Sequence, residues 1–244
     1  MFLTIRSFAL CSLTVVFLAT SGCGPSNRLR EVSLDGQRVA VTAAIPPAPR
    51  VQAGSPLEAG IDVYDPVGTA VRVGTAATKQ RQARRAQARL DSVVARVDIS
   101  DRIARQVLAG AATALRFAPA DRPSTADFVL DLRVHDYALV ADSFEGATFF
   151  VLLGEMRLVD SRTGAELWRT ELEEREVLDR ALFGMPASVG NVVTGRALAG
   201  LSPDEMARGL ARLGDLVALR ITDRLARDYL RSREAFADRQ ARGA

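Results

Sequence analysis

In residues 126–139 and 148–160 large apolar residues recur on one face of an extended backbone, and this pattern constrains the fold more than any other part of the chain. Phe128, Leu130, Leu132 and Val134 lie on one side of an extended backbone, and Asp127, Asp131, Arg133 and His135 lie on the other. Successive side chains of a strand point to opposite faces, so residues 126–139 read as a strand that is dry on one face and wet on the other, as in antiparallel sheets. Residues 148–160 repeat the pattern with Phe150, Leu152, Met156 and Leu158. Residues 165–174 return with Leu167, Trp168 and Leu172. The connection Asp160-Ser161-Arg162-Thr163-Gly164 is tight, and glycine suits a positive φ at its end. Three strands with short connections predict an antiparallel meander.

Helical signals flank it. In residues 98–117, Ile103, Val107 and Ala111 recur at i, i+4 and i+8 beside Ala114 and Leu115, an apolar stripe. Asp98 and Asp101 favour the start of this helix, and Pro119 and Pro123 end it. Ser202-Pro203-Asp204-Glu205 is a capping box with proline at the first helical position. Met206, Leu210, Leu213, Val217, Ile221, Leu225 and Tyr229 then follow on one face. Residues 77–97, rich in Ala, Gln and Arg, read as a further helix. Residues 36–45 alternate through Val39, Val41 and Ala43 and predict a first strand. Residues 61–74 hold two short apolar runs split by Asp65-Pro66, which predicts a hairpin. The Gly-rich apolar stretch 178–200 fits no regular element by pattern. The fold class expected is α+β: an antiparallel β-meander sheet with two or three helices packed on one face. The domain spans residues 36–236, and a frayed tail covers 237–244.

The first residues do not belong to that domain. Arg6 precedes an apolar run, residues 8–19, and small residues lead to Cys23. This is the layout of a cleaved export signal over residues 1–22. The run is shorter than the ~20 residues a spanning helix needs. Thr20-Ser21-Gly22-Cys23 resembles the lipobox of bacterial lipoproteins, with Thr20 standing where that pattern has an aliphatic residue. The resemblance implies cleavage before Cys23, acylation of Cys23 and a lipidated tether over residues 23–35. By the sorting rule of such proteins, Gly24 implies the outer membrane, with the domain facing the periplasm.

Composition narrows the chemistry. Loss of the leader removes Arg6 and leaves the mature chain at a net charge of +2, a weak field over 222 residues. No basic and aromatic interleaving of a nucleic-acid binder is present. Cys11 leaves with the leader and Cys23 is the acylation site, so no thiol remains for catalysis, zinc or a disulfide. His135 is the single histidine and shares a wet strand face with Asp127, Asp131 and Arg133. Metal sites draw three or four ligands from converging elements, and none is apparent, so no metal or cofactor is expected. A serine nucleophile has only His135 as its usual base, no Gly-x-Ser-x-Gly elbow occurs, and no phosphate loop occurs. No catalytic residue is assigned. Glu171, Glu173, Glu174 and Glu176 are read as keeping a sheet edge soluble or pairing with helix arginines. Two stretches are candidate contacts. Arg81, Arg85 and Arg89 stack at i, i+4 and i+8 within a basic run and suit lipid headgroups or an acidic partner. Leu182, Phe183 and Met185 offer an apolar loop for a partner or membrane.

Two segments carry a family resemblance: Ala126-Asp127-Phe128-Val129-Leu130, and Leu158-Val159-Asp160-Ser161-Arg162-Thr163-Gly164-Ala165-Glu166-Leu167-Trp168. In this order, after a helix and a proline-containing loop, they resemble envelope lipoproteins with the fold of the TolB N-terminal domain. That group includes the curli-secretion lipoprotein, activators of penicillin-binding proteins and auxiliary lipoproteins of ABC-type transporters. The likeness covers about residues 98–175. It implies a non-enzymatic, lipid-anchored accessory that binds another envelope protein, in a transport or envelope-assembly complex. Activation of cell-wall synthesis, a secretion pore subunit and an envelope hydrolase are the alternatives. Partner identity and oligomeric state stay open.

Overall fold

The computed structural model describes residues 27–54, 64–179 and 186–243. Among these residues the strands are β1 (Arg38–Ala44), β2 (Arg50–Gln52), β3 (Ala118–Pro119), β4 (Phe128–Asp142), β5 (Ala147–Asp160) and β6 (Glu166–Asp179). The helices are α1 (Pro66–Val94), α2 (Ile99–Leu115), α3 (Ala187–Gly200) and α4 (Pro203–Gly243). Sheet order is β3-β1-β4-β5-β6, with β2 beside β4 beyond the end of β1.

The meander is present: β4, β5 and β6 pair antiparallel in sequence. Gly164 closes its second turn at φ 71°. The sheet as a whole is mixed, which corrects the all-antiparallel expectation. β1 pairs parallel with β3 and with β4, and β2 pairs parallel with β4. Parallel strands need a long crossover. Here α1 and α2 supply it between β2 and β4, and alternation within β1 carries no information about direction.

Four helices are described, more than the two or three expected. α2 buries Ile99, Ile103, Val107, Ala111 and Leu115, and α4 buries Met206, Leu210, Leu213, Val217, Ile221, Leu225 and Tyr229. Both stripes join one core with Leu130, Leu132, Phe150, Leu152, Met156, Leu158 and Trp168. Each such side chain contributes about 1.5–3 kcal/mol when fully buried. The predicted capping box at Ser202 forms, and Asp98, expected to favour the helix start by its charge, is also a hydrogen-bonding cap. Asp98 accepts the Asp101 N–H at 2.9 Å, and Ser202 Oγ accepts the Glu205 N–H at 3.2 Å while Glu205 accepts the Ser202 N–H at 2.8 Å.

α1 replaces the predicted hairpin over the described part of 61–74. Asp65 is its N-cap and accepts the Gly68 N–H at 2.9 Å, with Pro66 at the first helical position. Asp-Pro signals a turn and a helix start equally well, and here the helix wins because α1 has a face to bury. That face is Ala76, Lys79, Ala83, Ala86, Leu90 and Val93, spaced 3-4-3-4-3. α3 forms from the stretch that pattern left unassigned. At Gly190 a Cβ would stand 2.0 Å from the Ser143 carbonyl oxygen, so only glycine lets α3 approach the β4–β5 turn this closely.

The segment read as a tether is bound to the domain from Asn27 onward. Asn27 bridges to Trp168, and the Arg28 N–H donates to the Leu167 carbonyl at 2.6 Å. A single 3-10 turn, Leu29–Glu31, follows. Leu29 and Leu34 are 0% and 1% exposed, and the Leu34 N–H donates to Tyr229 Oη at 3.1 Å. This segment covers part of the free edge of β6. At the other terminus α4 runs to Gly243, through the residues read as a frayed tail.

Candidate functional site

α1 and α3 lie side by side and run in the same direction. Asn191 Nδ2 donates to Thr75 Oγ1 at 3.4 Å, Gly195 faces Lys79, and Arg89 donates to the Leu198 and Ala199 carbonyls at 2.6 and 3.0 Å. Their outward side forms a groove of about 470 Å³. Its walls are Val71, Thr75, Thr78, Val192 and Arg196, and Gly74 and Gly195 leave its floor open. Val71 and Val192 are 51% and 57% exposed, and Tyr64, Val67 and Val189 extend the apolar surface toward the starts of the two helices.

A polar node lies beneath the groove. Lys79, the only lysine of the chain, is buried. Its Nζ donates to Ser143 Oγ at 2.6 Å, and Ser143 Oγ donates to Asn191 Oδ1 at 2.6 Å. Thr194 Oγ1 donates to the Gly190 carbonyl at 2.7 Å. The node joins α1, α3 and the β4–β5 turn. From sequence, His135 is the usual base available to a serine; the structure places Lys79 beside Ser143 instead. The signal for Lys79 was its being the single lysine in an arginine-rich chain.

The residues singled out by sequence are scattered. Arg81 and Arg85 are exposed on α1, and Arg81 donates to Thr78 Oγ1 at 3.3 Å. Arg89 is turned inward to cap the C-terminal carbonyls of α3, where the helix dipole favours a cation. Cys23, Leu182, Phe183 and Met185 lie outside the described residues. His135 is exposed at a bulge in β4, where the register shifts between Val134 and Asp136. It lines a hollow of about 560 Å³ with Glu155, Glu171 and Glu173. Among the described residues no group of three His, Cys, Asp or Glu is placed to hold a metal ion. Glu174 pairs with Arg220 at 3.0 Å and Glu176 with Arg212, so half of the glutamate cluster bonds α4.

The sheet face away from the helices carries an ion-pair lattice. Asp131 accepts from Arg157, from Thr42 at 3.1 Å and from Arg133 at 3.0 Å. Burial raises the Asp131 carboxyl, and these donors together hold it below the usual aspartate range. Farther along the same face, Arg175 stacks on Phe149 at 3.7 Å from the ring centre and bonds Glu145 at 2.7 Å. These partners explain how a wet face tolerates Phe149.

No described helix is long and apolar enough to cross a membrane. No protein-family model matches the chain, and no curated protein matches it. Among solved structures, the PelC dodecamer from Paraburkholderia phytofirmans is 11% identical, with a TM-score of 0.30 over 70% of this chain and 91% of that one. A proposed lipoprotein from Caulobacter crescentus CB15 is 18% identical, with a TM-score of 0.27 over 53% of this chain and 84% of that one. Likenesses at this level carry no inference about activity, assembly or location.

Proposed function

We propose that this chain is an exported, lipid-anchored accessory of the bacterial envelope that acts by binding a protein partner in the α1–α3 groove. The anchor is Cys23, and the outer membrane facing the periplasm is its location. The observation that carries the binding role is the groove itself: exposed valines over a glycine floor, continuous with Tyr64 and Val67. Apolar side chains grouped on a surface mark contact sites. A photo-crosslinking residue at Val192, introduced into the full chain in its native host, tests this. Crosslinks to one envelope protein, absent when the probe sits at Arg85, support it. Identical patterns from both positions reject the groove.

The reading is non-catalytic. A Lys–Ser pair can serve as base and nucleophile. In this node Ser143 Oγ is tied between Lys79 Nζ and Asn191 Oδ1, each at 2.6 Å, and the three side chains join α1, α3 and the β4–β5 turn. Labelling of Ser143 by a fluorophosphonate would instead favour an envelope hydrolase.

A further inference from the structure

Arg220, Arg224, Arg227 and Arg231 recur on α4 at i, i+4, i+7 and i+11 and share one face. Arg220, and Arg212 two turns before it, are matched to β6 through Glu174 and Glu176. Toward the start of β6 the core-facing positions become Leu172, Thr170 and Trp168, and the supply of carboxylates ends. Arg224, Arg227 and Arg231 form no ion pair with a described residue; Arg227 donates only to the Asp223 carbonyl at 3.2 Å. They line a hollow of about 410 Å³ with Asn27, Trp168 and Arg169. Its one carboxylate, Asp228, accepts Trp168 Nε1 at 2.9 Å, and Arg169 is held by Glu166 at 2.6 Å. Within this hollow three guanidinium groups share one carboxylate, Asp228; Arg224 also borders the adjacent hollow lined by Glu171, Glu173 and Glu174 but forms no ion pair there, while most arginines of the sheet are paired.

The position of this hollow gives it meaning. Asn27 lines it, and Ser232 Oγ on α4 donates to Asn27 Oδ1 at 3.1 Å. Only Gly24, Pro25 and Ser26 separate Asn27 from Cys23. Even fully extended, that run spans at most about 14 Å between Cα atoms. An acyl chain on Cys23 therefore brings the hollow within about two Debye lengths of the lipid headgroups at physiological salt.

We infer that the hollow formed by Asn27, Arg224, Arg227 and Arg231 is a docking surface for anionic phospholipid headgroups of the membrane that holds Cys23. Guanidinium groups bind phosphate oxygens in bidentate pairs. Docking orients the domain with the Trp168 corner at the bilayer. This assignment rests on the lipid anchor proposed above. Each arginine at an anionic surface favours the docked state about fivefold, and three together of order a hundredfold.

Trp168, the only tryptophan, is a built-in donor for energy transfer to dansyl-labelled headgroups. The full processed chain is reconstituted in nanodiscs of phosphatidylcholine, alone or with a minority of phosphatidylglycerol. Mass analysis of the N-terminal peptide first reads the acyl chains on Cys23. The expected result is acylated Cys23 and transfer that rises with phosphatidylglycerol, falls to the neutral-lipid level in R224Q/R227Q/R231Q, and is reduced but kept in R224K/R227K/R231K, which hold the charge without the bidentate fork. Circular dichroism shows whether the glutamine variant keeps its fold; if it does not, the loss of the phosphatidylglycerol response in high salt decides. Acylated Cys23 with transfer indifferent to lipid charge overturns the docking surface and leaves the anchor standing. Unmodified Cys23 overturns the anchor and this orientation with it. Calorimetric binding of inorganic phosphate that R224Q/R227Q/R231Q loses, together with transfer indifferent to phosphatidylglycerol, makes the hollow a soluble-anion site and overturns the membrane assignment.

Discussion

Replacing Leu29 by alanine tests whether the segment after Cys23 belongs to the core. Leu29 is fully buried, and its neighbour in sequence, Arg28, is hydrogen-bonded to β6. The substitution removes three carbon groups, at about 0.8 kcal/mol each, so the transfer loss is roughly 2.4 kcal/mol. Incomplete collapse of the cavity raises this toward about 4 kcal/mol. The segment is short and near a terminus, so its own docking energy sets an upper limit on the loss. Tyr229→Phe probes that limit separately, because it leaves the buried Leu34 N–H without its acceptor, at about 1–2 kcal/mol. The two residues hold one segment, so the double variant should lose less than the sum of the single losses. Urea unfolding of the full chain, followed through Trp168, measures both, and exchange of the Leu34 amide reports local undocking. A loss under about 1 kcal/mol for Leu29→Ala, with Leu34 exchange unchanged, would refute the packed segment and the short reach from Cys23.

Three further outcomes are expected. Gly190→Ala forces a Cβ to within 2.0 Å of the Ser143 carbonyl oxygen; a loss of about 3 kcal/mol on urea unfolding is expected, and a neutral result would show that α3 slides freely. Arg89→Ala removes the donors to the Leu198 and Ala199 carbonyls and should cost about 1–2 kcal/mol, with faster amide exchange in the last turn of α3. The third concerns acid: the Arg102 guanidinium, bonded at 2.6 and 2.9 Å, with help from Gln106 and against partial burial, holds the Asp215 carboxyl below the usual aspartate range. A lowered folded value stabilises above the unfolded value of about 3.9, and that contribution disappears as pH falls through the folded value. The stability gap between the wild type and Asp215→Asn should therefore be full near neutral pH and close in acid; a gap constant across urea midpoints would refute the link.

Periodicity alone carried the meander, α2 and most of α4, because each buries one continuous face and the spacing of apolar residues records it. The capping box at Ser202 was legible for the same local reason: donor and acceptor lie three residues apart. The reading of Cys23 as an address rests on its leader alone, without reference to any fold. The parallel pairing of β1 and β2 with β4 was not legible, since alternation does not encode direction. The start of α1 at Pro66 was misread because Asp-Pro serves turns and helices alike, and packing against α3 decided between them. Lys79 and Ser143 are 64 residues apart and met only when α1 crossed the β4–β5 turn. Arg224, Arg227 and Arg231 were one helix face by sequence. Only the tertiary structure left them without an ion-pair partner on β6 and brought Asn27 beside them, because charge balance and proximity depend on which strands and segments a helix lies against.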